Sequence, residues 1–202
     1  RVKIKDNLVA DCIAGKNNSL FINSSIMLSE SRLKSLIVHE IETHILTAEN
    51  GKLQPYEIFN RGLANYLITQ EGLAMYNVEQ QKERPFWKNY KALTNVIAIH
   101  KSLQKPFHEV FHELINLNIP EDQAFRSTLK AKRGIMNTAK KGAFTKDYLY
   151  FKGYLEIRDF CEKGGKIEDL YLGKINVHDL EKVKRIEGIK APKYLPEWLK
   201  RS

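Results

Sequence analysis

Glu71 is the residue that most restricts how this chain can fold. It lies in Gln70-Glu71-Gly72-Leu73-Ala74, and its neighbours at helical spacing are Leu67, Ile68, Ala74, Met75 and Val78. A carboxylate centred on an apolar stripe is carried towards the core, where it is costly unless a cation meets it. Two partners are open: a lysine or arginine in a buried salt bridge, or a metal ion. Gly72 and Ala74 are small, so this helix is expected to press closely on a neighbour.

Residues 39–44 read His-Glu-Ile-Glu-Thr-His. A helix with two histidines about a turn apart and a glutamate beside the first is a zinc-peptidase pattern: the imidazoles bind the metal and the glutamate serves as base. Zinc lowers the pKa of a bound water to about 7, so Glu40 can take its proton. The familiar spacing is four residues. Here it is five, which in a regular helix turns His44 roughly 140° away from His39. The two converge only if one residue is absorbed in a π-bulge, a distortion found mostly at functional sites. The other reading is two histidines on a half-buried helix, each bonded to an ordinary partner. Glu71 supplies the third ligand that favours metal: strands, then a His-Glu helix, then a helix donating glutamate is the plan of glutamate-type zincins. The expected ligands are His39, His44 and Glu71, with Thr43 and Gln70 as hydrogen-bonding partners behind them.

A second segment, His108-Glu109-Val110-Phe111-His112, has the four-residue spacing outright. Its apolar face is Phe107, Val110, Phe111, Leu114 and Leu117, which leaves His108, Glu109, His112 and Glu113 together on the polar face. It is read as a solvated surface.

The surroundings are consistent with an α+β chain: a small N-terminal sheet followed by a mostly helical body. Strands are expected over about 1–28, as a hairpin or two short strands around the Gly15-Lys16-Asn17-Asn18 turn. A helix capped by Ser29 runs to about Glu49 and stops at Asn50-Gly51, and a long one runs from about Tyr56 to Gln81. Further helices are expected near 87–104, 106–120, 122–137 and 146–162, then a final pair near 167–172 and 177–186. Residues 191–202 read as an extended tail. At 202 residues the chain is read as a single domain over 1–202.

Thirty-three Lys and Arg against 24 Asp and Glu give a net charge of +9. That surplus favours an acidic partner. No apolar run approaches the roughly 18 residues of a membrane span. Cys12 and Cys161 are far apart, without metal-ligand spacing, and point to a reducing compartment, the cytoplasm. The first residue is Arg1, so a longer parent chain is expected.

His39–His44 and Gln70–Ala74, with the intervening Leu46–Pro55, resemble the bacterial flavohaemoglobin expression-modulating QEGLA-motif proteins. These are related to the animal microtubule-associated tyrosine carboxypeptidases. The resemblance starts in the strands before His39 and resumes at Phe144-Thr145-Lys146-Asp147 and Tyr150. It then runs through Gly153 to Leu172-Gly173-Lys174. It implies a zinc site of His39, His44 and Glu71, and Glu40 as the motif glutamate. It implies a metallocarboxypeptidase acting on a peptide or protein tail; the animal relatives remove a C-terminal tyrosine from the acidic tail of α-tubulin. Family members are longer at the N-terminus, so an N-terminal part of the same protein is an expected partner.

A carboxypeptidase also needs a cation for the terminal carboxylate and a donor for the oxyanion. Lys146 and Tyr150, one helical turn apart, are the candidates, with Arg133 as an alternative cation. Two rival readings stand beside the enzyme. One is a metal-stabilised regulatory or binding module without activity. The other is a nucleic-acid-binding domain using Lys130, Lys132, Arg133, Lys140 and Lys141, disfavoured because the stretch lacks interleaved aromatics.

Overall fold

A computed structural model describes residues 1–8, 12–15, 19–81 and 90–200. The chain divides into two compact units, Arg1–Glu83 with Gly153–Ser202, and Arg84–Lys152. None of the described helices is long and apolar enough to cross a membrane.

The first unit opens with three strands, β1 (Val2–Lys5), β2 (Cys12–Gly15) and β3 (Ser19–Asn23). β3 is central: it pairs in parallel with β1, Val2 facing Leu20, and antiparallel with β2, Cys12 facing Ile22. The β2–β3 pair is the expected hairpin, while the parallel strand is an addition that turn signals could not reveal. Gly15, expected in the turn, is the last residue of β2; residues 16–18 lie outside the described residues.

One helical rod follows, in three parts: α1 (Glu30–Leu36), a π-helical stretch (Ile37–Ile45) and α2 (Leu46–Lys52). Ser29 caps it as expected, its side chain accepting from Arg32 N at 3.2 Å. The rod runs through Asn50-Gly51 rather than stopping there. Gly51 packs against the chain ahead, where an added Cβ would meet Phe59 O at 2.4 Å. The Asn50 side chain holds the tail, accepting from Lys193 N and Tyr194 N and donating to Tyr194 O at 2.7 Å. Gln54 does the same one turn on, accepting from Lys190 N and donating to Lys190 O and Leu172 O.

The long helix expected over 56–81 is broken. α3 (Ile58–Arg61) ends at Gly62, with φ +120°, and α4 (Tyr66–Gln80) starts after Asn65, with φ +59°. Leu63 N bonds to Lys174 O and Lys174 N to Phe59 O, so a remote segment takes the bonds that would have continued the helix.

The second unit holds α5 (Tyr90–Ser102), α6 (Phe107–Asn116) and α7 (Glu121–Ala131), packed through Ala98, Val110, Leu114, Ala124 and Ala131. The expected start of α5 near Trp87 lies outside the described residues. α7 ends six residues early, because Lys132 turns inward. Its ammonium donates to four carbonyls, those of Ser102 (3.2 Å), Lys105 (2.6 Å), Lys140 (2.9 Å) and Gly142 (2.9 Å).

α8 (Tyr148–Glu162) crosses from the second unit's residues into the first's. Its Gly153 lies backbone to backbone with Gly72 of α4: a Cβ on Gly153 would stand 2.0 Å from Ile68 O. The closing pair is 3₁₀ over Ile167–Tyr171 and Val177–Asp179, then α9 (Leu180–Lys184), with one more 3₁₀ turn, Glu197–Lys200, in the tail. Phe59, Leu73, Ile157, Leu170, Tyr171 and Ile175 form the first unit's core.

Candidate metal centre

The π-helical stretch that a five-residue spacing demands is present over Ile37–Ile45. With i→i+5 bonding, positions five apart fall on one face, and this happens twice. Val38 and Thr43 point inward together, and both are buried. His39 and His44 fall together on the adjoining face, ring centroids 4.9 Å apart and nearly perpendicular. β2 lies against the same stretch.

α4 packs beside it and brings Glu71, 8% exposed, to the two rings. Donor atoms of His39, His44 and Glu71 all lie within 4.8 Å of one another. Glu71 Oε2 is 3.4 Å from His39 Nε2 and 3.7 Å from His44 Nε2. Good N–H···O bonds span about 2.7–3.2 Å, so these contacts are long for hydrogen bonds. They suit ligands sharing one tetrahedral ion, whose edges are about 3.4 Å when each metal–ligand bond is about 2.1 Å. Glu71 Oε2 is sealed from water without a hydrogen bond of normal geometry. A buried carboxylate oxygen in that state, facing two imidazoles, fits a divalent metal with nitrogen and oxygen preferences.

The electrostatics agree. Burial pushes the Glu71 carboxyl up, but the close approach and charge of His39 and His44 outweigh it and hold it well below the usual range. Burial pushes His44 down, but Glu71, then Glu40 and Gln70, leave it raised. Glu40 is half-buried next to His39 in sequence, and its charge favours the protonated form of His44. Gln70 Oε1 approaches His44 Nδ1 at 3.4 Å. With the proton on Nδ1, Nε2 presents its lone pair towards Glu71, the form a metal ligand needs. Thr43 donates to Val38 O at 2.9 Å, five residues back.

The remaining candidates belong to the second unit. Lys146 is exposed and lies in the turn before α8, which begins only at Tyr148, so Lys146 and Tyr150 are not one turn apart within a helix. The cause is local: Tyr148 N and Leu149 N bond back only three residues, to Thr145 O and Lys146 O. Tyr150 is half-buried in the first turn of α8. Arg133 lies over the Phe144 ring at 4.2 Å and 3.5 Å from Asp147. Lys132, grouped with surface cations in the nucleic-acid reading, is 2% exposed and spent on carbonyls. His108, Glu109 and His112 are exposed, as expected, while Glu113 pairs with Lys101 and Lys105.

Sequence reasoning missed Asn77 and Tyr171, both fully buried; Asn77 donates to Thr43 Oγ1 at 2.8 Å and to Tyr171 OH at 2.6 Å. The available signal was a stripe of amides, Gln70, Asn77 and Gln81, at spacings of seven and four along α4 and the residue that caps its end.

Two imidazoles and a carboxylate converging from two helices make this a candidate metal-binding protein. The sequence pattern of the family described as microtubule-associated tyrosine carboxypeptidase matches residues 1–202, and the chain belongs to that family. Microtubule-associated tyrosine carboxypeptidase 1 of Rattus norvegicus is 26% identical over 215 residues, spanning 97% of this chain and 45% of the relative. The Mus musculus protein of that name is 25% identical over 214 residues, with the same shares, 97% and 45%. The Homo sapiens protein is 24% identical over 206 residues, 97% of this chain and 43% of the relative. The chain thus spans less than half the length of these relatives.

Proposed function

We propose that the chain is a zinc-dependent metallopeptidase with a zincin-like core, acting as a carboxypeptidase on a peptide or protein tail. The observation that carries this reading is the ligand-edge spacing of Glu71 Oε2 to both imidazoles across a π-helical stretch. His39, His44 and Glu71 would hold the zinc. Bound zinc would supply Lewis acidity to a water and to the scissile carbonyl. Glu40 accepts the proton of the attacking water and returns it to the leaving amine. Gln70 and Thr43 orient the ligands. Lys146, or Arg133 in its place, receives the substrate's terminal carboxylate, and Tyr150 donates to the developing oxyanion.

Residues 84–152 hold thirteen Lys and Arg against five Asp and Glu, a surplus of eight in a chain whose total is nine. This supports an acidic tail as the substrate, and the names of the relatives support a C-terminal tyrosine or other aromatic residue as the one released. Gln70–Ala74 supports a place among the QEGLA-motif members. The two units are taken as one catalytic domain. A cytoplasmic location is proposed with the rest, in keeping with Cys12 and Cys161 forming no disulfide.

The test is incubation with peptides differing in their last residue, with and without chelator, for the parent and Glu40→Gln. Chelator-sensitive release of a terminal residue by the parent alone, with zinc retained by both, is expected. A variant as active as the parent refutes the role of Glu40. Zinc retention without release by either protein favours the silent regulatory module.

A further inference from the structure

A π-helix is rare, and its geometry must be held by something. If Ile37–Ile45 relaxed to α-helix, His44 would swing roughly 140° from His39 and leave Glu71. Only Val38 and Thr43 of this stretch are buried, so the inward face is where a hold can act.

α4 presents its amide stripe to that face. Gln70 meets His44, Asn77 meets Thr43 and Gln81 meets Glu42, three consecutive residues read in reverse order. Asn77 is the centre. Its Nδ2 donates to Thr43 Oγ1, which frees the Thr43 hydroxyl proton for Val38 O, the bond that spans five residues. The other Nδ2 proton goes to Tyr171 OH, tying the pair to the core. In an α-helical register Thr43 would rotate off this face and strand the Asn77 amide in a dry interior. The π register is the one in which both Nδ2 protons are bonded, although Asn77 Oδ1 itself has no partner.

We propose that Asn77, acting through Thr43 and anchored by Tyr171, is the positioning residue that keeps the stretch in π register and so aims His44 at Glu71. The inference deepens the metallopeptidase reading and rests on its metal site.

The test uses the full chain and the variants Asn77→Leu, Thr43→Val and Thr43→Ser, with Val183→Ala as a core control outside the stripe. Zinc affinity is read by competition with a chromophoric chelator. Register is read in the zinc-free protein by hydrogen exchange of the amides over 38–46. Asn77→Leu and Thr43→Val should each weaken zinc by about 10–100-fold, the range for residues that orient metal ligands, and should speed exchange over 38–46. The double variant should be no worse than either single, because they act as one unit. Thr43→Ser keeps the hydroxyl and should restore both readings. Val183→Ala should lower stability while leaving both unchanged.

Parental zinc affinity and exchange in Thr43→Val overturn the proposal, even if Asn77→Leu does not fold. If the parent itself binds no zinc, the metallopeptidase reading falls, and exchange over 38–46 still decides whether the amide holds the register.

Discussion

Gly153→Ala sets two effects of opposite sign against each other. In a helix interior, alanine is favoured over glycine by about 1 kcal/mol. At this position the added Cβ would stand 2.0 Å from Ile68 O and 2.9 Å from Gly72 Cα. Carbon–oxygen contacts settle near about 3.3 Å, so α4 and α8 must part by about 1.3 Å. Both opposing atoms are backbone, so no rotamer change relieves the clash. Overpacking costs about 1–3 kcal/mol, and this geometry belongs at the upper end. The net expectation is a loss of about 2 kcal/mol, read as the urea midpoint of the zinc-free protein. Gly72 adjoins Glu71, so the shift also moves a candidate metal ligand. Zinc affinity should fall at least about tenfold, equivalent to about 1.4 kcal/mol. A variant as stable as the parent, with parental zinc affinity, would refute the claim that this crossing sets the position of Glu71.

Lys132→Met should cost about 2–4 kcal/mol in urea unfolding, because buried carbonyls lose a charged donor; Ser102 O keeps Gly142 N, and a loss under about 0.5 kcal/mol would contradict this. The depressed Glu71 carboxyl stabilises the zinc-free chain above its ordinary 4.5, an effect lost as pH falls through its lower folded value. The raised His44 stabilises it below its ordinary 6.5, an effect lost as pH rises through its higher folded value. Melting of chelated protein should therefore worsen from pH 6.5 to 8.5. Zinc needs neutral imidazoles, so the increment it adds should grow over the same range; the opposite trends would be evidence against the site. Finally, His108→Ala with His112→Ala should leave zinc content by elemental analysis unchanged, whereas His39→Ala should abolish it.

The rod from Ser29 onward was legible because its N-cap, apolar spacing and five-residue histidine interval are all local, although its end was set by packing against Phe59. The convergence of Glu71 with the histidines was legible for a different reason: a carboxylate on an apolar stripe demands a cation, and the His-Glu helix just before it pointed to a metal rather than to one of the 33 Lys and Arg. What escaped was decided by remote chain. The break at Gly62–Asn65 depends on Lys174, more than a hundred residues on. Lys132 reads as one more surface cation until the carbonyls of Ser102, Lys105, Lys140 and Gly142 close round it. Asn77 belongs to a stripe of amides, but the stripe does not say that it is buried or what it bonds. β1 joins its sheet in parallel, a pairing that no turn residue announces.

The amides of Asn50 and Gln54 grip the tail from the far end of the rod that carries the histidines. A π-helical stretch takes up one extra residue within its own wide turns, so the faces on either side of it are kept. The odd interval between the histidines is therefore settled before Leu46. Beyond it, Asn50 and Gln54 face Lys190–Tyr194 much as they would on a rod one residue shorter. The spacing that brings the rings together is thus hidden from the end of the chain.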